Sequence, residues 1–266
     1  MYEFTYHGAR ALDEATALLA ENGDAKPIAG GQSLLPMMKF RLASPSDLVD
    51  LNKIAGLNGI AMEGDLLAIG AMARHAEVHV SPVVQQAIPA LAALAGLIGD
   101  PAVRHRGTLG GSLANNDPNA DYPAAALALG ATIVTTKREI AADDFFAGLF
   151  ETVLEPDELI TKARFPVPQK AAYQKFRNPA SRYAIVGVFV ATFSDGVRVA
   201  VTGAGTSGAF RLPEFEAALT GRFEPAALEG ISVPEDGLAS DIHASAEYRA
   251  HLIGVMARRA VAAANG

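Results

Sequence analysis

An α+β fold in two parts is what this sequence predicts: residues 1–168 as one unit of two subdomains, about 1–55 and 56–168, followed by a C-terminal α/β domain over 169–266. Three observations lead there. Short strand and helix signals alternate along the chain without an internal repeat. Two Gly-Gly pairs, in AGGQSLLP at 29–36 and TLGGSLANN at 108–116, mark loops in the first part. From Lys170 onward the pattern changes to extended stretches joined by turns and closed by a long helical segment.

The elements follow in order. Residues 3–6 read as a strand and LDEATALLAE at 12–21 as an amphipathic helix closed by Asn22-Gly23. A brief strand at 26–29 runs into the first glycine pair. Residues 34–41 form one or two helical turns after it, with Met37 and Met38 read as packing residues, and 47–51 are a further strand. Glu63-Gly64-Asp65 is a hairpin turn between strands at 57–62 and 66–72. Residues 83–98, rich in Ala, Leu, Ile and Val, read as buried helix broken near Pro89. DPAVRHRG at 100–107 is a loop, 123–129 a helix with proline in its first turn, 131–136 a strand, and 159–167 a strand ending at Pro166. Phe145-Phe146 is a core or interface anchor. In the last part 173–176, 184–193 and 197–202 are strands, and Gly203-Ala204-Gly205-Thr206 is a turn. Residues 214–219 are helical, and Ser245 caps a long helix through Arg259, with Tyr248, Leu252 and Met256 on its core face.

Composition narrows the function. Half of the residues are hydrophobic (50%) and the formal net charge is −7, which gives a nucleic-acid or anionic-membrane partner no electrostatic support. No apolar run reaches membrane-spanning length and no basic-then-apolar leader opens the chain, so a cytoplasmic protein is expected. Cysteine is absent, which excludes disulfides and any thiolate-held cluster or zinc in this chain. His75 and His79 have the i, i+4 spacing of a metal pair but lack an accompanying carboxylate motif, so a solvated helix face is expected and no metal site is assigned.

The glycine pairs carry the chemistry. Gly30-Gly31 and Gly110-Gly111 lack Cβ atoms, so their amides can approach an anion closely, while Gln32, Ser33, Thr108 and Ser112 add side-chain hydrogen bonds at the rims. Two such loops suit the two phosphates of one dinucleotide. Neither is a G-x-x-x-x-G-K-[ST] P-loop nor a G-x-G-x-x-G Rossmann turn.

AGGQSLLPMMKFRL at 29–42, RGTLGGSLANNDPNADYPAAALALGA at 106–131, FRNPASRYAIVGV at 176–188 and DIHASAEYRAHLIGVMARRA at 241–260 resemble, in order, the motifs of the FAD-binding medium subunit of the molybdenum hydroxylases, the carbon monoxide dehydrogenase and xanthine dehydrogenase family. The resemblance covers nearly the whole chain. It implies a two-subdomain FAD-binding fold of the vanillyl-alcohol oxidase type with FAD between the subdomains. It also implies cofactor contacts at Ala29, Gly30, Gly31, Gln32, Ser33, Leu34, Thr108, Gly110, Gly111 and Ser112. Asp121 would accept from ribose or adenine-side groups, with Asp117 a lesser candidate, and Ile160 would supply a backbone contact to the flavin. Lys175 stands where the family has a lysine near the flavin, and Tyr183 would cover one flavin face; a surface lysine and a strand tyrosine are the alternatives. Arg104, His105 and Arg106 suit a phosphate, a solvated loop or a partner contact equally.

The implied function is electron relay in an oxidoreductase complex. Iron–sulfur centres of a small subunit would pass on electrons from a large molybdopterin-binding subunit, and FAD here would pass them to NAD, quinone or oxygen. A dimer of three-subunit units is implied, with molybdopterin and iron–sulfur clusters confined to the partners and no catalytic acid, base or nucleophile in this chain. A self-sufficient flavin oxidase or dehydrogenase and a flavin-free scaffold are the competing readings.

Overall fold

The computed structural model describes all of residues 1–266. Its first subdomain holds β1 (Thr5–Gly8), α1 (Leu12–Glu21), β2 (Lys26–Ile28), α2 (Leu34–Lys39) and β3 (Asp47–Asp50). The three strands form a parallel sheet in the order β1-β3-β2. Ala15 and Leu19, one turn apart on α1, bury against Val49 and Leu51 and make the small core of this unit. Because the strands are parallel, β2 and β3 end on the same side, and the first glycine pair leaves the sheet there.

The second subdomain continues with β4 (Ile60–Glu63), β5 (Leu66–Gly70), α3 (His75–Val80), α4 (Pro82–Ala87), α5 (Pro89–Gly96), α6 (Pro101–Arg104), α7 (Leu109–Asn115) and α8 (Asp121–Ala128). It closes with β6 (Thr132–Thr135), β7 (Glu139–Ala141), α9 (Ala142–Phe145), β8 (Phe146–Gly148), β9 (Glu151–Thr152) and β10 (Ile160–Pro166). An antiparallel sheet in the order β4-β5-β10-β6-β7 shares the largest core of the molecule with α5 and α8. Helix α8 is buried along its whole length, as its DYPAAALA sequence with no long polar side chain allows. Pro89 opens α5 with only Ile88 between it and the end of α4, so the expected break is a clean change of helix.

The C-terminal part is a meander of β11 (Lys170–Arg177), β12 (Ala184–Phe193), β13 (Gly196–Thr202) and β14 (Phe210–Arg211), then α10 (Pro213–Gly221), a 3-10 turn at Pro225–Leu228 and α11 (Ala246–Asn265). Strand β12 is buried on both faces. Tyr173, Phe189 and Ala191 join the core of the second subdomain, while Val186, Val188 and Val190 face α11. Ser245 Oγ accepts from the Tyr248 N–H at 3.2 Å and caps α11 as expected.

Several expectations need correction. The second glycine pair is not a loop: Leu109, Gly110 and Gly111 form the first turn of α7, capped by Thr108. Residues 101–104 are a helical turn capped by Asp100, whose Oδ1 accepts from Val103 N–H at 2.9 Å. The two histidines of α3 do not share a solvated face, since only His79 is exposed. His75 is buried, and His79 donates from Nδ1 to the Ala92 carbonyl at 2.8 Å, its ring lying over Gly96 where a Cβ would come within 2.6 Å. On α11 Leu252 and Met256 are buried but Tyr248 is half-exposed, set edge-on against Phe176.

Candidate cofactor-binding cleft

A cleft of about 560 Å³ lies where the two glycine segments meet. One wall is the segment from Lys26 to Leu34, and the other is Gly107 to Asp121; Glu158 to Ile160 and Ser181 to Tyr183 close its ends. The predicted residues Ala29, Gly30, Gly31, Gln32, Ser33, Leu34, Thr108, Gly110, Gly111, Ser112, Asp121 and Ile160 all line it. Asp117 and Tyr183 do as well. Lys175 and Arg104 to Arg106 do not.

The backbone amides at the end of the first segment are left without partners in the chain: none of the N–H groups from Ala29 through Leu34 donates to an acceptor within it. Such a run of unmet donors is rare in folded chains unless water or a ligand takes them. Gly31 holds a left-handed φ of 69°, which turns the chain out of β2 into α2. Asn52, just past β3, fixes the segment from behind: its Nδ2 donates to the Ala29 carbonyl at 2.9 Å and to Asp50 Oδ1 at 2.6 Å.

The glycines of the second segment have different work. Gly110 N–H donates to the Ala71 carbonyl at 2.8 Å, and a Cβ at Gly110 would lie 2.6 Å from that of Ala71, so Gly110 lets α7 sit on the end of β5. Gly111 N–H donates to Thr108 Oγ1 at 3.1 Å. A Cβ at Gly111 would point toward Ala29, at 3.8 Å, across the cleft. The expected pair of matching amide loops is therefore one open amide loop facing a capped helix start.

Beyond the glycines, Asp121 opens α8 and is only 3% exposed. Tyr173 donates its hydroxyl to Asp121 Oδ1, and Lys175 Nζ donates to Asp121 Oδ2 at 2.9 Å and to the Leu97 carbonyl at 3.3 Å. Burial pushes the Asp121 carboxyl above its ordinary range, against the pull of Lys175 and Tyr173. The alternative of a surface lysine at 175 is corrected: its ammonium is paired with Asp121, and its side chain is 3% exposed. Arg104 is likewise engaged, donating to the Ile98 and Gly99 carbonyls. Ile160 sits where β10 slips register against β6, so this part of the cleft wall is an irregular strand edge. Tyr183 follows Arg182, whose φ of 64° turns the 178–183 loop, and Asn178 Oδ1 accepts from the Ala180 and Ser181 N–H groups inside it.

Sequence reasoning missed three contributors. His75 lines the cleft with its Nδ1 buried and without a partner. Burial, with the Arg104 charge adding to it, lowers its pKa to about 4, so the ring is neutral at pH 7. Glu158 is buried beside Ile160. Burial alone would raise its carboxyl, but Arg138, the Thr135 hydroxyl and the Glu155 N–H hold it at about 2. Asn52 is the third. Its neighbour Asp50 gave no local signal that a side chain there would reach Ala29, residues apart by a whole α-β unit.

This geometry is that of an FAD-binding flavoprotein, and sequence comparison agrees. Residues 2–168 match the family described as the FAD binding domain in molybdopterin dehydrogenase, and residues 171–264 match the CO dehydrogenase flavoprotein C-terminal domain. The chain belongs to the FAD-binding medium subunits of the molybdenum hydroxylases, as an oxidoreductase component with FAD as its cofactor. It is 38% identical to the carbon monoxide dehydrogenase medium chain of Hydrogenophaga pseudoflava, over 98% of this chain and 96% of that one. The nicotine 6-hydroxylase medium subunit of Paenarthrobacter nicotinovorans is also 38% identical, over 96% and 95%. Among solved structures, carbon monoxide dehydrogenase from Hydrogenophaga pseudoflava lacking the Mo-pyranopterin moiety superposes with a TM-score of 0.90, over 99% of this chain and 97% of that one. Quinoline 2-oxidoreductase from Pseudomonas putida 86 gives 0.89 at 31% identity, over 99% and 97%. No helix of the chain is long and apolar enough to cross a membrane.

Proposed function

We propose that this chain is the electron-relay subunit of a three-subunit molybdenum hydroxylase, holding FAD in the cleft and connecting the iron–sulfur centres of a small partner to an external acceptor, which is NAD, quinone or oxygen. The observation that carries the reading is the run of unmet N–H groups from Ala29 through Leu34 facing the α7 start. Residues 29–34 would hold the pyrophosphate, with Thr108, Gly110, Gly111 and Ser112 on the facing wall, and Asp121 and Ile160 would contact the rest of the cofactor. When bound, FAD exchanges electrons singly with metal centres and in pairs with organic acceptors. The chain's own share is to bind, orient and exclude water. The amides give a fixed field of partial positive charge that needs no counter-ion, and Met72, Ile98 and Val103 add apolar lining that disfavours water.

Exposed apolar side chains support the reading of partner subunits. Phe40 and Leu42 are 77% and 75% exposed just past α2, with Met37 and Tyr2 also exposed, and Arg41 lies over the Tyr2 ring. An apolar patch of this kind supports a hetero-oligomer. The partners are a large molybdopterin-binding and a small iron–sulfur subunit, assembled as a dimer of heterotrimers in the cytoplasm. Residues 1–168, in subdomains 1–55 and 56–168, form the FAD-binding domain, and 169–266 a C-terminal domain that completes the cleft through Ser181 to Tyr183. The test is anaerobic reduction of the purified complex by its substrate: bleaching of the flavin band with the iron–sulfur bands supports the relay. A flavin that stays oxidised while the iron–sulfur centres are reduced contradicts it.

A further inference from the structure

We infer that Tyr173, on β11 of the C-terminal sheet, is a positioning residue that aims the Asp121 carboxylate at the bound cofactor, so that FAD affinity depends on a hydroxyl that does not itself line the cleft. The inference rests on the FAD reading above and goes one step behind the residues that touch the cleft.

Asp121 is fastened from the side of the C-terminal domain by two donors. Tyr173 holds Oδ1 and Lys175 holds Oδ2, and both come from one face of β11, two residues apart. A carboxylate oxygen accepts two hydrogen bonds, so each oxygen keeps one acceptor position for a donor from the cleft. Two donors at separate oxygens fix the carboxylate plane, which neither could do alone. The Tyr173 ring is itself locked, buried and stacked on Phe189 with centroids 6.1 Å apart.

The hydroxyl reaches Asp121 because position 187 has no side chain. Gly187 pairs with Lys175 across β11 and β12, and a Cβ there would lie 2.3 Å from the Tyr173 hydroxyl oxygen. Thr202 Cγ2 is 2.9 Å from the same point, so the space is enclosed and shared by the tyrosine hydroxyl and the threonine methyl. A glycine in the middle of a strand buried on both faces costs stability that an alanine would not. Here it provides the socket for the hydroxyl. Without that hydroxyl, Oδ1 would be a buried acceptor missing a donor, and burial would act on the carboxyl with one fewer opposing contact.

The test is FAD titration of the deflavinated complex carrying full-length chain, read by quenching of flavin fluorescence, in a double-mutant cycle of Tyr173→Phe and Asp121→Asn. Tyr173→Phe removes one oxygen from a locked ring and leaves its packing in place. It is expected to weaken FAD binding about tenfold with Asp121 present, and by less than about twofold in the Asp121→Asn background. Equal losses in both backgrounds, or no loss with Asp121 present, overturn the inference. So does an Asp121→Asn variant that binds FAD as tightly as the parent, an outcome that leaves the FAD reading standing. A parent complex that takes up no FAD at all overturns that reading instead. Gly187→Ala gives a second route to the same displacement: weakened FAD binding that disappears in the Asp121→Asn background supports the inference, and a loss that persists there contradicts it.

Discussion

Gly30 and Arg106 touch through their backbones: a Cβ built on Gly30 would lie 2.1 Å from the Arg106 carbonyl oxygen and 2.8 Å from Gly107 Cα. This contact brings the first subdomain and the second glycine segment together into one cleft. Gly30→Ala must push the two segments apart, because both obstructing atoms are backbone. The variant is expected to lose about 1–3 kcal/mol of stability and to bind FAD more weakly. Denaturant unfolding and FAD titration of the same preparation check both effects, and unchanged affinity would show that the contact does not shape the cleft.

Gly111 offers the contrasting case. Its missing Cβ would point across the cleft toward Ala29, with only the Thr108 hydroxyl closer, so a larger side chain fills ligand space more than it disturbs the core. Gly111→Val should fold and assemble but retain little flavin. The readout is flavin per chain in the purified complex. Full occupancy in this variant contradicts the placement of the cofactor between the two segments.

Asn52 does not itself line the cleft but holds the Ala29 carbonyl, and with it the direction of the amides that follow. Removing it with Asn52→Ala is expected to weaken FAD binding about three- to tenfold while moving the unfolding midpoint little, since the side chain is near the surface. A shift in stability with unchanged affinity would assign Asn52 to the fold rather than to the site.

His75 predicts an acid sensitivity with a definite sign. Its pKa in the folded chain is about 4, below the ordinary value of 6.5, so the unfolded chain binds a proton that the folded chain refuses. Stability is complete above pH 6.5 and falls as pH drops toward 4. Between pH 7 and 5 this single group costs about 2 kcal/mol. His75→Leu should remove that part of the acid destabilisation, seen as a shallower loss of unfolding free energy over the same range. An unchanged slope would mean that the imidazole protonates normally in the fold.

Much of this architecture was legible in the chain because it is periodic. Helix α1 repeats apolar residues at helical spacing, the β4-β5 turn carries Glu63-Gly64-Asp65, and β12 is a continuous apolar run; all three stand where they were expected. Legibility failed where a tertiary contact decides. TLGGSL reads as a loop, yet it is helical because Thr108 caps it and Gly110 lets it pack on Ala71. Nothing local to His75 and His79 says that α3 is packed against α5, which buries His75 and ties the exposed His79 to the Ala92 carbonyl. Lys175 shows the limit most clearly. Its type suggests a surface charge, but its partner Asp121 lies 54 residues away, and no spacing pattern links them. The short strands β7, β8, β9 and β14 went unseen for the same reason, each being defined by its neighbour more than by its own sequence.

The measurement that tests the central claim most directly is purification of the tagged full-length chain from its own host, with a visible spectrum and identification of the co-purifying chains. The account predicts flavin absorption together with iron–sulfur bands, a large molybdopterin-binding chain and a small cysteine-rich one. A solitary yellow chain that oxidises an organic substrate unaided, or a complete complex devoid of flavin, would contradict it.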